Sequence, residues 1–149
     1  MSARRIETRS AAETEALGAR LAERLVPGDV IVVSGEVGAG KTTLIRGAAR
    51  ALGVVEPVTS PTFTIGRRYS GGRLPISHLD LYRLEGMDEE DPALLDDYLG
   101  GDGVAFVEWP AVGAERLGRP ALEVRLEHAG EERRTIEIVD RAVPGRGTR

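Results

Sequence analysis

Apolar residues recur at helical spacing in two parts of the chain. Ser10 and Glu13 form a capping-box pattern ahead of leucines spaced four residues apart, which predicts a helix from Ser10 to Leu25. A second helix is predicted over residues 42–52, and Gly53 is its natural end.

Other apolar positions follow the patterns of β-strands. Val30–Val33 and Val104–Val107 are short runs without a polar residue, as in strands that are covered on both faces of a parallel sheet. Residues 122–126 and 135–139 alternate between apolar and polar, which is typical of half-exposed antiparallel strands. The pattern therefore predicts an α/β fold.

The remaining segments carry weaker patterns. Residues 62–69 and 73–79 read as two strands of a hairpin turning at Gly71-Gly72. Residues 86–99 are acidic and predict a helix with a solvated face. With no repeat and no long linker, we expect one domain over residues 1–141 and a loose C-terminal tail over residues 142–149.

Composition excludes several classes of function. The 149 residues include no cysteine, so disulfides, thiolate zinc sites, iron–sulfur clusters and cysteine nucleophiles are all excluded. No apolar run approaches the roughly 18 residues of a membrane span, and we expect a cytoplasmic protein without a membrane contact. The net charge of −4 argues against a dedicated nucleic-acid surface.

The strongest motif is a phosphate-binding loop. Residues 35–42 read GEVGAGKT and match G-x-x-x-x-G-K-[ST] without a mismatch. Backbone N–H groups of such a loop surround phosphate oxygens at the positive end of the following helix. Lys41, the only lysine among 20 basic residues, is placed for the β- and γ-phosphates, Thr42 for Mg²⁺ and Thr43 for the α-phosphate.

Two acidic residues follow predicted strands. Asp80 follows Ile76–Leu79 and Glu108 follows Val104–Val107. Carboxylates at the carboxyl ends of strands lie where open α/β sheets bind ligands. We expect Asp80 and Glu108 to divide two roles, metal ligation and orientation of the attacking water, and spacing does not say which residue has which role.

Three further strings make the chain recognisable. SPTFT at 60–64, HLDLYRL at 78–84 and VEW at 107–109 follow GEVGAGKTT in order. The chain thereby resembles the TsaE (YjeE) family, small bacterial ATPases needed for threonylcarbamoylation of adenosine 37 in tRNA. The resemblance covers about residues 10–140 and implies a P-loop α/β sandwich whose mixed sheet has a parallel centre and antiparallel flanks.

The resemblance also implies roles for individual residues. Asp80 matches a Walker-B-like acid, and Glu108 with Trp109 matches an acid–Trp pair tied to ATP hydrolysis, in which the tryptophan stacks on the base, packs on a switch or docks a partner. His78 matches a motif position suited to holding either Asp80 or the 60–64 segment. The nucleotide-binding positions are Glu36, Val37, Gly38, Ala39, Gly40, Lys41, Thr42 and Thr43, and the switch-like positions are Ser60, Pro61, Thr62 and Phe63.

The implied activity is Mg²⁺-dependent ATP hydrolysis that resets a complex with TsaB and TsaD proteins, which themselves handle the tRNA. An arginine finger from a partner is favoured over Arg68 or Arg83 of this chain. Two alternatives stay open. One is a small-molecule P-loop kinase, for which Arg116 and Arg119 make a sparse lid, and the other is a nucleotide-gated binding module with negligible hydrolysis.

Overall fold

The computed structural model describes residues 2–36, 39–59, 66–80, 102–108 and 120–140. Their helices and strands, in chain order, are β1 (Ser2–Thr8), α1 (Ala11–Ala22), β2 (Val30–Gly35), α2 (Lys41–Ala51), β3 (Gly66–Tyr69), β4 (Ile76–Asp80), β5 (Val104–Glu108), β6 (Leu122–Gly130) and β7 (Arg133–Asp140).

The strands form one mixed sheet in the order β1-β7-β6-β2-β5-β4-β3. The inner pairs β6–β2, β2–β5 and β5–β4 are parallel, while β1–β7, β7–β6 and β4–β3 are antiparallel. The expected parallel centre with antiparallel flanks is confirmed. One detail was wrong: β6, expected to be simply antiparallel, also pairs in parallel with β2.

Helices α1 and α2 pack together over one face of the sheet. Their leucines and alanines form one core with the apolar residues of that face, including Ile31, Val33 and Phe106. Residues of the opposite face, such as Val32 and Val107, are buried as well. Burial on both faces explains the uninterrupted apolar runs of β2 and β5.

Strand β1 was not expected from the sequence. It pairs with β7 at the edge of the sheet, and most of its side chains are exposed. Ile6 packs against the core, and the Thr8 hydroxyl bonds the Thr14 hydroxyl of α1 at 2.8 Å. An edge strand with so few buried positions has little hydrophobic alternation to detect.

The first two predicted helices are present: α1 is shorter than predicted, and α2 begins and ends one residue earlier than the predicted 42–52. Ser10 caps α1 by accepting a bond from Glu13 N at 3.1 Å, but the helix ends at Ala22 rather than Leu25. The expected 73–79 strand is β4, and it pairs antiparallel with β3 as a hairpin. The predicted helix over 86–99 and the tail over 142–149 lie outside the described residues.

Candidate functional site

The phosphate-loop motif lies between the end of β2 and the start of α2. Gly40 caps α2 with a φ of 99°, a left-handed conformation that favours glycine. At Gly35 a Cβ atom would lie 2.4 Å from the carbonyl oxygen of Leu126, so a side chain there would displace β6. Ala39 is fully buried. The two glycines therefore allow the backbone conformation and the close approach to β6 that the loop requires.

Lys41 is the first residue of α2, and its side chain turns back over the loop. Nζ donates to the carbonyl oxygens of Gly35 at 2.7 Å and Glu36 at 3.1 Å. Burial lowers the pKa of Lys41 from its ordinary value of 10.5, while the negative charges of Glu108, Asp80 and Glu36 act in the opposite direction. The ammonium therefore sits in a partly desolvated place with carboxylates within electrostatic range.

The two strand-end acids are neighbours across the sheet. Asp80 is the last residue of β4 and Glu108 the last residue of β5, and the two are paired in register. Glu108 is also in register with Val33 of β2, two residues before the loop begins. The expectation that the sheet brings residues 35, 80 and 108 to one edge is confirmed.

Glu108 has a partner that the sequence did not reveal. His78 Nε2 lies 2.6 Å from Glu108 Oε2, and both side chains are buried. His78 was expected to hold Asp80 or the 60–64 segment. A histidine and a glutamate 30 residues apart in the chain carry no signal of a contact. The pair becomes apparent only from the register of β4 and β5.

Arg134 is a second residue that the sequence pattern did not indicate. It lies on β7, and its Nε donates to the Ala39 carbonyl oxygen at 3.1 Å. A terminal nitrogen also donates to Glu131 O at 2.7 Å and Arg133 O at 2.8 Å. Its guanidinium thus joins the β6–β7 turn to the phosphate loop, a contact that depends on β6 lying beside β2.

The residues just before the switch-like segment are anchored by their neighbours. Thr59 N donates to the Tyr69 hydroxyl at 3.3 Å, and the Thr59 hydroxyl accepts from Arg67 at 3.1 Å. Arg46 of α2 reaches Val58 O at 3.5 Å. Strand β3 and helix α2 therefore fix the chain immediately before residue 60.

Other expected site residues fall in two groups. Glu36 is exposed and Thr42 and Thr43 are half-buried on the first turn of α2. Arg68 pairs with Ser77, so strand alternation puts it on the sheet face opposite His78 and Asp80, which argues against Arg68 as an arginine finger. Outside the described residues lie Val37, Gly38, Ser60, Pro61, Thr62, Phe63, Tyr82, Arg83, Trp109, Arg116 and Arg119.

The acidic residues suit magnesium held together with phosphates. Mg²⁺ is usually bound by one or two carboxylates, waters and substrate phosphates rather than by an all-protein cage. Within the described ranges no three His, Asp or Glu side chains form a metal-binding group. The paired carboxylates of Asp80 and Glu108, with the Thr42 hydroxyl at the start of α2, offer the oxygen donors that such a shared site needs.

Comparison with known proteins decides the family. The model of the family described as "Threonylcarbamoyl adenosine biosynthesis protein TsaE" matches residues 8–136. The chain belongs to the TsaE family. This confirms the resemblance noted in the motifs, and the match includes the loop, both acids and His78.

Individual relatives agree with the family match. The chain is 43% identical over 124 residues to the Bacillus subtilis "tRNA threonylcarbamoyladenosine biosynthesis protein TsaE", covering 83% of this chain and 77% of the relative. It is 47% identical over 116 residues to the protein of the same description from Streptomyces coelicolor, covering 76% and 78%.

A solved structure supports the fold. The crystal structure of Bacillus subtilis YdiB superposes with a TM-score of 0.76 at 34% identity and covers 95% of this chain and 87% of that one. In the part of the chain that the structure describes, no helix is long and apolar enough to cross a membrane.

Proposed function

We propose that this chain is the ATP-binding and ATP-hydrolysing subunit of the machinery that makes threonylcarbamoyladenosine in tRNA. Membership of the TsaE family supports the role in this modification. The observation that carries the hydrolytic part is the placement of Asp80 and Glu108 side by side at the strand ends, within electrostatic range of the loop lysine.

The phosphate chain of ATP is held by the loop and the first turn of α2. Backbone N–H groups at the positive end of α2 and the Lys41 ammonium bind the β- and γ-phosphates, with Thr43 near the α-phosphate. Lys41 lies over the loop through its bonds to the carbonyl oxygens of Gly35 and Glu36, which supports its assignment to the phosphates.

The reaction is in-line attack of water on the γ-phosphoryl group, which breaks the bond between the γ-phosphorus and the oxygen that bridges it to the β-phosphate and releases ADP and phosphate. Thr42 and one of the two strand-end carboxylates would hold Mg²⁺, which would neutralise the charge that develops on the phosphate oxygens. Lys41 adds positive charge from the protein, and the carboxylate that does not ligate the metal orients the water and accepts its hydrogen bond. Trp109 follows Glu108 directly and is proposed to pack near the nucleotide or a partner.

The proposed partners are TsaB and TsaD proteins, with tRNA bound by them rather than by this chain. ATP binding and hydrolysis would reset their complex between turnovers, so hydrolysis by the isolated chain is expected to be slow. A net charge of −4 agrees with a protein whose direct partners are other proteins.

The deciding experiment is steady-state hydrolysis of Mg²⁺-ATP by the purified chain, alone and with a TsaB–TsaD pair. We expect slow turnover that rises several-fold with the pair, and loss of both activities in Lys41→Ala. Turnover that does not respond to the pair would contradict the proposed role. Phosphate transfer to a small acceptor would favour a kinase, and tight ATP binding without hydrolysis under either condition would favour a nucleotide-gated module.

A further inference from the structure

The contact between His78 and Glu108 differs from the other ion pairs of the described residues. His78 is fully buried and Glu108 is only 4% exposed, and their side chains meet at 2.6 Å. The pairs Arg50–Glu15 and Arg24–Asp140, in contrast, have cations that reach solvent. Burying a polar pair costs desolvation free energy, so general stability alone does not explain why this pair is present.

The strand register explains how the two side chains meet. His78 is opposite Phe106 of β5, and Asp80 is opposite Glu108. Alternation along the strands puts all four side chains on one sheet face. His78 lies two residues before Asp80 on β4, further from the carboxyl ends of the strands, and it therefore reaches Glu108 diagonally. The imidazole therefore approaches the carboxylate from the core side, and Asp80 stands beside it at the strand end.

The imidazole offers its other nitrogen to no partner among the described residues. His78 Nδ1 is buried and makes no hydrogen bond there, so the ring bears the cost of an unsatisfied polar atom. An apolar ring could fill the same volume without that cost. Among the described residues, the polar contact that the ring does make is the bond to Glu108. An ionised carboxylate only accepts, so Nε2–H is the donor when Glu108 is ionised.

We propose that His78 is a positioning residue that fixes the Glu108 carboxylate. Its bond to Oε2 restrains the rotation of the carboxylate, which lies within electrostatic range of the loop lysine, Lys41. The inference rests on the proposed ATPase function. It holds whether Glu108 ligates the metal or orients water, because either task requires one defined carboxylate orientation.

The hydrogen bond can be tested without any hydrolysis. The chain has two histidines, and His128 is exposed on β6, so ¹⁵N-histidine labelling gives two rings, which the variant His128→Gln assigns. We expect a His78 ring protonated on Nε2 whose proton exchanges slowly with water and whose signals shift in Glu108→Gln. A His78 ring protonated on Nδ1, or one indifferent to Glu108→Gln, would overturn the proposal.

The consequence is tested by kinetics in the complete complex. We expect His78→Phe to lower kcat for ATP about 10–100-fold, as loss of a hydrogen bond to a metal-site or catalytic group does, while KM for ATP changes little. His78→Gln, whose amide N–H can replace Nε2–H, should recover much of the rate, and His128→Gln should behave as wild type. In Glu108→Ala, adding His78→Phe should cause no further loss.

The outcomes separate this inference from the function on which it rests. A folded His78→Phe with wild-type kcat, in a protein whose Glu108→Ala variant is slow, would overturn the positioning role and leave the ATPase intact. A His78→Gln variant as slow as His78→Phe at an unchanged melting temperature would also overturn it. If the wild type hydrolyses no ATP even with TsaB–TsaD, the proposed function fails, and the NMR comparison still decides the inference.

Discussion

At the residue scale, Lys41 combines a proposed role at the phosphates with the energetic cost of burying its charge. In the proposed function its ammonium binds the phosphates, yet partial burial penalises its charge and lowers its pKa. The three nearby carboxylates reduce that penalty, and an arriving polyphosphate would reduce it further. The position calls for a compact ammonium on a flexible stem, which a planar guanidinium does not reproduce; every other basic residue of the chain is arginine.

This environment predicts a pH dependence of ATP binding. In the free protein Lys41 loses its proton below the usual range near 10.5, so ATP affinity should fall as pH rises through that lowered pKa, with proton uptake on binding. The sign for folding is the opposite. The penalty on the charged lysine is fully present below the lowered pKa and is lost as pH rises from that pKa to the ordinary value of 10.5, so this group alone makes stability rise with pH across that window.

The pKa of Lys41 can be measured directly by NMR. Because Lys41 is the only lysine, ¹⁵N-lysine labelling reports its titration without overlap, and calorimetry gives ATP affinity over the same pH range. Lys41→Met supplies the baseline, since its residual affinity should lack this alkaline decline. A Lys41 that titrates at or above 10.5, or an ATP affinity that is flat at alkaline pH, would contradict the prediction.

Glu108 is expected to act on the chemical step more than on binding. Glu108→Ala should retain ATP binding and slow hydrolysis by about 10²-fold or more if the carboxylate orients water. If Glu108 is instead the metal ligand, a high Mg²⁺ concentration should partly restore the hydrolysis rate of Glu108→Ala. Asp80 would then be the residue that orients water, and added Mg²⁺ should not restore the rate of Asp80→Ala. Glu127→Ala, on the exposed end of β6, is the control, and turnover near wild type in Glu108→Ala would remove this residue from the mechanism.

At the scale of elements, α1 and α2 are held at short range by two glycines. A Cβ atom on Gly18 would lie 2.1 Å from the Leu44 carbonyl oxygen, and one on Gly47 would lie 2.0 Å from that of Glu15. Each glycine thus admits the backbone of the opposite helix. Since α2 begins at the phosphate loop, α1 supports the helix that presents Lys41.

Gly47→Ala is therefore expected to destabilise the fold despite alanine's higher helix propensity. Forcing the helices apart should cost about 1–3 kcal/mol, as overpacking of cores does, and should exceed the gain of about 1 kcal/mol from replacing a helical glycine. Urea unfolding measures the difference. Gly71→Ala, where a Cβ meets no atom of the described residues within 4 Å, is the control, and equal stability of the two variants would refute the close-packing argument.

The sequence predicted elements better than their pairing. The loop, the apolar strands β2 and β5, and the strand-end acids follow from local patterns, because each is recorded in consecutive residues. The contacts of Arg134 with the loop and of His78 with Glu108 join residues far apart in the chain, and they depend on which strands are neighbours. The edge strand β1 escaped detection because it buries few side chains.

At the scale of the whole molecule, the candidate site residues lie together at the carboxyl ends of the parallel strands. The parallel strands β2, β4 and β5 place the candidate site residues at their carboxyl ends, where open sheets bind ligands, and Arg134 of β7 reaches the loop from the antiparallel side. This arrangement supports the proposal that the chain has a nucleotide site of its own. The proposed work of that site is done on partner proteins.

That division of labour predicts weak binding of tRNA by the isolated chain. With 24 acidic against 20 basic residues, its overall field repels a polyanion, so at physiological salt the dissociation constant should fall in or above the non-specific range of about 10⁻⁶ to 10⁻⁴ M. Filter binding or anisotropy with labelled tRNA, repeated at several salt concentrations and with the TsaB–TsaD pair present, measures it. Binding should strengthen only when the pair is added. A submicromolar, salt-sensitive complex formed by this chain alone would show that it contacts tRNA directly, and the indirect role proposed for it would then be wrong.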